Sequence, residues 1–263
     1  MRHFLTLIWF LIAVVSAVAQ NASENNKSKT LFLAYGQNEH LKMDETYSRL
    51  PKKGLVHDFN FGYEKQNDNK VFSLETRFST GELGTDGNDI NFIDHYGGNF
   101  KARWLKKTKG KSTKIASYLG ILHDVRADVW FPKNNELRYA WDIYWGVGIS
   151  LKTRYTIGSK ITLDYTLDLP LIGVLWRSHN NGQQLSTEEI QLEKGILAAS
   201  LETPRLAYLS NTTYIDNVLK VHFTTSERTR FFYRFGFTHQ NIQQPLLKKG
   251  TEKTNSIGFN YQF

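Results

Sequence analysis

Two histidine-containing segments carry the residue types that nucleophilic catalysis uses. Ser178 stands directly before His179, and His239 follows Thr238 in the last part of the chain. In a serine mechanism, the imidazole accepts the proton of a hydroxyl group within hydrogen-bond reach. Adjacent side chains on an extended strand point to opposite faces, so a loop would have to bring Ser178 to His179. The candidate catalytic residues are therefore His179, Ser178 and His239.

An acidic segment is the second place to look for chemistry. Residues 80–97 include Asp86, Asp89 and Asp94 among glycines and asparagines, and hard cations such as Ca²⁺ prefer such oxygen ligands. The spacing of a known calcium loop is absent, however, and glycine- and Asx-rich turns have the same composition. The sequence also contains no cysteine, no zinc-ligand spacing and no phosphate-binding glycine loop. We therefore expect no metal and no cofactor.

Composition and the first residues bound the class of protein. The chain has 263 residues, a formal charge of +8, 14% aromatic residues and a mean hydropathy of −0.44. The lack of cysteine excludes disulfides, a cysteine nucleophile and an acylated lipoprotein. A basic start, an apolar run over 4–18 and the small residues Ala17 and Ala19 predict a signal peptide over 1–19, cleaved to leave 20–263. No later run reaches the roughly 20 apolar residues of a membrane helix, so the mature chain is either secreted and soluble or crosses a membrane as strands.

Period-two alternation of apolar and polar residues recurs through the mature chain and indicates β-strands. The clearest segments run from Trp141 to Leu151, Ile161 to Leu169, Phe231 to Phe237 and Ile257 to Phe263. Weaker copies begin at Phe59, Phe72, Phe100, Ile115 and Leu219, and 31–36 is a short possible first strand. Together they predict about ten strands, with about eight or twelve as alternatives because 31–36 and 196–209 are ambiguous.

The connections between these strands alternate in length. The long ones are 37–54, 80–97, 124–138, 170–213 and 241–252, and the short ones lie near 65–70, 107–112, 153–158 and 225–229. A secreted β-sandwich does not require this alternation, whereas an outer-membrane barrel shows it. The pattern therefore predicts an all-β fold over 20–263, an antiparallel transmembrane β-barrel with short periplasmic turns and long external loops.

If the apolar face of each strand contacts lipid, the opposite face lines the lumen. The acidic lumenal residues are then Asp58, Glu64, Glu75, Asp124, Asp142, Asp164 and Asp168. The basic ones are Arg77, Lys101, Arg103, Lys114, Lys220, Arg230 and Arg234, with His222 beside them. A barrel of this size has little free interior, and buried charges must be paired. The sequence therefore predicts a paired, largely filled lumen, with a narrow selective pore or a proton-handling site as the alternative.

The end of the chain resembles that of outer-membrane barrel proteins. Phe259, Tyr261 and Phe263 finish an alternating strand on an aromatic residue, as in proteins whose last strand the barrel-assembly machinery recognises. The Ala19-Gln20 signal end and the basic, Asn-rich composition resemble small barrels of the Bacteroidota, which are Gram-negative. The resemblance implies an outer-membrane location, with membrane lipids and the assembly machinery as partners, and the charge of +8 favours attraction to anionic lipopolysaccharide. Nucleic acid is not expected, because the basic residues are scattered.

Three enzyme families built on small barrels offer a comparison. Outer-membrane phospholipase A and lipid A deacylase place a serine two residues after the catalytic histidine, where His179 and His239 are followed by Asn181 and Asn241. The omptin proteases use paired rim carboxylates and a His–Asp pair. The adjacent pairs at 123–124 and 94–95 supply those residue types without a recognisable spacing. The chain thus matches no specific enzyme family.

The predicted loop 170–213 is too apolar at its start to lie free in water. Ser186 to Glu189, followed by Ile190 and Leu192, resembles a capped amphipathic helix. The loop is therefore expected to cover the barrel mouth as a lid or to form a binding surface. For the whole chain we expect a non-enzymatic barrel with a structural, binding or narrow-transport role. The alternative is a lipid-active hydrolase that uses a rim histidine.

Overall fold

The computed structural model describes residues 28–44, 48–85, 88–108, 114–133, 140–177, 204–243 and 247–263. They form eleven β-strands: β1 (Ser28–Asp44), β2 (Ser48–Gln66), β3 (Lys70–Thr85), β4 (Asn88–Lys107), β5 (Ile115–Pro132), β6 (Ala140–Ile157), β7 (Ile161–Arg177), β8 (Arg205–Tyr208), β9 (Thr212–Thr224), β10 (Thr229–Ile242) and β11 (Lys248–Gln262). Within these ranges no helix is long and apolar enough to cross a membrane.

The sheet closes on itself because the first strand pairs with the last. Strand β1 pairs antiparallel with β11 from Thr30 opposite Gln262 to Asp44 opposite Lys248. The short strand β8 pairs with residues 172–175 of β7, and the longer strand β9 pairs with residues 161–168 of β7. They share one place in the wall, so the barrel has ten strand positions. The predicted all-β, antiparallel barrel of about ten strands is confirmed.

The strands run further into the long connections than the sequence predicts. Strand β1 extends to Asp44 and β2 begins at Ser48, so the two strands cover most of 37–54. Strands β3 and β4 likewise cover most of 80–97. The hydrophobic signal stops earlier because these outer parts face water on the outside, yet the backbone hydrogen bonds between strands continue. At the two ends of the segment 170–213, residues 170–177 belong to β7 and residues 205–208 form β8. The predicted helix, Ser178 and His179 lie outside the described residues, as does the predicted signal peptide over 1–19.

The outward side of the wall carries an apolar and aromatic belt. Its members include Phe59, Phe100, Trp104, Phe235 and Phe259, all more than a third exposed in the isolated chain. About 9–11 residues of a tilted strand cross a bilayer, whereas β2 and β4 have 19 and 20. The strands therefore continue past the belt at the end with the long connections, which we call the outer end. The other end, with the short turns, we call the periplasmic end, after the topology that the sequence predicts.

Glycine is required at two kinds of position. Gly158 has a φ of 62° in the tight turn between β6 and β7, a conformation that L side chains rarely adopt. In the lumen, Phe32 and Phe232 lie edge to face with ring centroids 6.1 Å apart. A Cβ atom on Gly258 would lie 2.4 Å from the Phe232 ring. The absence of a side chain at Gly258 therefore makes room for the aromatic ring.

We expect Gly258→Ala to destabilise the barrel by about 1–3 kcal/mol, because the added methyl group forces the Phe232 ring or the backbone of β1 to move. Urea unfolding of the refolded protein in detergent micelles measures the change. Gly98→Ala is the matched control, since nothing lies within 4 Å of a Cβ atom at Gly98. Equal stability of the two variants would contradict this account of the lumen.

Candidate functional site in the barrel lumen

Charged side chains fill the lumen in three groups. The periplasmic cluster comprises Glu64, Lys152, Arg154 and Asp164. The central cluster comprises Glu75, Lys101, Arg103, Asp124, Arg126, Asp168, Asp216 and Arg234. The outer cluster comprises His40, Lys42, Asp58, Arg77, His95, Asp128, Asp142, Lys248 and Glu252. Strand alternation places all of them on inward-facing positions.

Asp168 is the acceptor at the middle of the central cluster. Its side chain is fully buried on β7. Arg103 donates to both of its carboxylate oxygens, with the shortest contact at 2.6 Å from Nη2. Lys101 Nζ lies 2.8 Å away and the hydroxyl of Ser150 donates at 2.6 Å. Donors from two strands, β4 and β6, therefore converge on one carboxylate of β7, and charge-assisted hydrogen bonds of this kind are the strong ones.

The same cluster continues to the far wall. Lys101 also contacts Asp216 on β9 at 2.5 Å, and Arg126 joins Asp216 to Asp124. On the other side, Glu75 on β3 accepts from Arg103 at 3.2 Å and from Arg234 on β10 at 3.0 Å. The pairs therefore cross the lumen from β3 and β10 to β7 and β9, with no gap between consecutive partners.

The periplasmic cluster is a compact set of four ion pairs. Lys152 Nζ lies 2.5 Å from Glu64 and 3.3 Å from Asp164. Arg154 contacts the same two carboxylates at 3.2 and 2.6 Å. Two cations and two carboxylates from β2, β6 and β7 therefore neutralise each other on one side of the lumen.

In the outer cluster, one lysine connects three strands beyond the apolar belt. Lys42 Nζ lies 2.9 Å from Glu252 and 3.1 Å from Asp128. His95 Nε2 is 3.0 Å from Asp128 and 3.1 Å from Lys42. Arg77 donates to His40 Nε2 at 3.2 Å. Both imidazoles are thus enclosed by charged groups and have no exposed surface.

Burial decides the protonation state of the two histidines. It lowers the pKa of His40 well below its ordinary value, with Lys42 and Arg77 acting in the same direction and Glu252 opposing them. Burial also lowers the pKa of His95, and Lys42 contributes to the shift. For Asp128, burial alone would raise the pKa, but Lys42 and Lys248 outweigh it and hold the pKa well below its usual range. At neutral pH the cluster therefore holds neutral imidazoles among paired ions.

Most residues of the predicted lumenal network face inward and form ion pairs. The predicted residues that face inward and form ion pairs include Asp58, Glu75, Arg77, Arg103, Asp142, Asp164, Asp168 and Arg234. Lys220 and Arg230 also face inward, but neither has a carboxylate within 4 Å among the described residues. Lys114, predicted to be lumenal, is instead an exposed residue ahead of β5.

Sequence reasoning missed most of the outer cluster. Lys42, Lys248 and Glu252 lie in segments predicted to be loops, where no lumenal face was assigned. A polar alternation does exist there, since Asn38, His40 and Lys42 fall on every second position. It is visible only once strand pairing is known to continue beyond the apolar belt.

The candidate catalytic residues do not assemble in the described part of the chain. His239 lies on the outward side of β10, opposite Ile215 and Thr251. In each of the adjacent pairs 123–124 and 94–95, one side chain points inward and the other outward, so the histidine and the aspartate of a pair do not contact each other. His95 meets Asp128 on the neighbouring strand instead, a contact that spacing alone does not reveal.

Asp168→Asn should lower the free energy of unfolding by about 3–5 kcal/mol, because it leaves Lys101 and Arg103 buried without their shared carboxylate. Urea titration in micelles, followed by heat-modifiable gel migration, gives the value. The control Glu39→Gln breaks an exposed ion pair with Lys53 and should leave the unfolding midpoint unchanged. If Asp168→Asn behaved like Glu39→Gln, the central cluster would carry no stability.

Stability should fall as the pH drops below about 6.5, the ordinary pKa of histidine. His40 and His95 have lower pKa values in the folded barrel, so the unfolded chain binds more protons in this range and stability rises with pH. Unfolding midpoints between pH 7.5 and 5 measure the slope. The double variant His40→Gln/His95→Gln should reduce the slope, and His239→Gln, on the outward side of β10, is the control for the loss of a histidine as such. An unchanged slope in the double variant would rule out these imidazoles as the cause.

Comparisons with known proteins recover the fold but no sequence family. No family model matches the chain, and no curated protein sequence matches it. The outer membrane protease OmpT from Escherichia coli is 8% identical, with 92% of this chain and 99% of that chain covered and a TM-score of 0.56. The translocator domain of the autotransporter NalP from Neisseria meningitidis is 10% identical, with 97% and 95% covered and a TM-score of 0.39. At 8% identity, the likeness to the protease shows the fold alone, that of a closed antiparallel β-barrel.

Proposed function

We propose that this protein is a non-enzymatic outer-membrane barrel with a lumen closed by ion pairs, serving a structural or binding role rather than conduction. The observation that carries the proposal is the central cluster, in which paired side chains join opposite walls. It supports a closed barrel because any solute would have to separate Asp168 from Arg103 and Lys101.

The free space in the lumen is distributed in a way that fits closure. A cavity of about 380 Å³ lies at the periplasmic end, and a smaller one of about 50 Å³ lies towards the outer end. Glu75 lines both cavities, while Lys101 and Arg126 line the smaller one. The central cluster therefore stands between the two spaces.

The balance of charge argues against a selective pore. Ion-selective pores line their constrictions with rings of one sign. In the central cluster, Lys101, Arg103, Arg126 and Arg234 each contact at least one carboxylate. A passing ion of either sign would therefore meet an equal number of repelling groups.

A hydrolytic role has the His95–Asp128 pair as its best structural support. That pair is closed to substrates, because His95 is fully buried and the Lys42 ammonium occupies the space beside its Nε2 atom. General-base catalysis requires the proton of a substrate or water to come within reach of the imidazole. We therefore assign the pair to the stability of the outer cluster.

The partners follow from the outward surface. We propose that membrane lipids surround the apolar belt and that lipopolysaccharide contacts the wall above it. We also propose that the barrel-assembly machinery recognises the last strand through Phe259, Tyr261 and Phe263. Export through the signal peptide over 1–19 and an origin in the Bacteroidota remain predictions from the sequence.

Planar-bilayer recordings test the closed lumen. Pure wild-type protein should give little steady conductance, because the central cluster blocks the path. The triple variant Lys101→Ala/Arg103→Ala/Asp168→Ala removes both charge signs together and should conduct. Glu39→Gln is the control and should stay closed. Large, stable, ion-selective steps from the wild type would refute the proposal.

A further inference from the structure

The periplasmic cavity differs from the rest of the lumen in its charge. Its wall contains more cations than carboxylates. The cations are Arg103, Lys107, Lys152, Arg154, Lys220, Arg228 and Arg230, and the carboxylates are Glu64, Asp68, Glu75 and Asp164. In the central cluster, by contrast, four cations face four carboxylates. The periplasmic cavity therefore carries an excess of positive charge that the central cluster lacks.

Of the cations in this wall that are not exposed, two have no carboxylate within 4 Å in the part of the chain that the structure describes. Lys220 Nζ lies 3.9 Å from the centroid of the Phe32 ring and 5.6 Å from that of Phe232. Glu75 attracts Lys220 at longer range, but Arg103 and Arg234 already occupy its two oxygens. An ammonium held over aromatic rings keeps its charge available for another anion.

Arg230 lies near the periplasmic mouth of the same cavity. Its Nε atom is buried and has no hydrogen-bond partner, and no carboxylate lies within 4 Å of its guanidinium among the described residues. A buried charged donor without a partner costs free energy. A bound anion would remove that cost at Arg230.

His222 adds a neutral donor to the cavity wall. Its Nδ1 atom lies 3.1 Å from the Asn260 side-chain amide nitrogen, which donates to it. The ring proton is then on Nε2, which is buried and makes no hydrogen bond. The nearest carboxylate oxygen, on Asp164, is 3.7 Å away, beyond hydrogen-bond distance. Nε2 is therefore a third unused donor.

We propose that the periplasmic cavity binds a small organic anion with a carboxylate or phosphate group. Lys220 and Arg230 supply the counter-charge and His222 donates a hydrogen bond. Arginine and lysine with such donors suit oxyanions. A volume of about 380 Å³ falls within the usual range for ligand pockets and exceeds what one inorganic ion fills. The apolar faces of Phe32 and Tyr118 provide contact for the organic part.

Calorimetric titration of the refolded barrel tests this site, with citrate and inorganic phosphate as probes. Titrations are done in an uncharged detergent at constant ionic strength set with chloride. Citrate should bind saturably, at one per barrel and more tightly than phosphate. Lys220→Met and Arg230→Gln should each weaken citrate at least tenfold, whereas Arg230→Lys, which keeps the charge, should retain most of the affinity.

Two controls separate binding from folding. Lys253→Gln removes the same charge from the outward face of β11 and should leave citrate affinity unchanged. Without anion, Lys220→Met and Arg230→Gln should unfold at the wild-type temperature or above it, because neither residue holds an ion pair. Absence of saturable binding to wild type, or equal affinity in Arg230→Gln and Lys253→Gln, would overturn the proposal. If phosphate bound as tightly as citrate does, the proposal that the ligand is an organic anion would be overturned.

Discussion

The closure of the strand ladder between β1 and β11 is the constraint from which the rest of the structure follows. Inside a bilayer no water satisfies backbone amide and carbonyl groups, so a sheet that crosses it cannot leave an edge. Closing the sheet with ten strand positions fixes the width of the interior. At that width, long side chains from opposite walls meet. Lys101 on β4 thereby reaches Asp216 on β9, although the two strands are not neighbours in the sheet.

The ion pairs make the register of the strands specific. A slip of one residue turns every inward side chain outward, and for Asp168 or Arg103 this would place a charge against lipid. Buried ion pairs contribute less to stability than their number suggests, because desolvation opposes their attraction. Their larger effect is that alternative registers leave charges unpaired. Arg234, which joins Asn60 on β2 to Glu75 on β3, holds three strands in one alignment.

The sequence was informative wherever lipid lies on one side of the strand. The alternation from Trp141 to Leu151 defines both faces of β6, and the inward position of Asp164 follows from the same rule on β7. The partner of a lumenal charge cannot be read in this way. Arg103 and Asp168 are brought together by the curvature of the barrel, and Lys220 is left without a carboxylate for the same reason. The outer halves of β1 and β2 were not predicted as strands because their inward side carries polar, buried residues and their outward side faces water, so neither side has a continuous apolar pattern.

The length of the strands also sets where the outer rim stands. If about 10 residues of a strand cross the bilayer, a strand of 19 or 20 residues such as β2 or β4 has about half its length left over. At about 3.3 Å per residue and with the usual tilt, this remainder raises the wall by roughly 20 Å. The rim of the barrel then stands clear of the lipid headgroups. The outer cluster, which includes His40 and His95, lies inside this raised part of the wall.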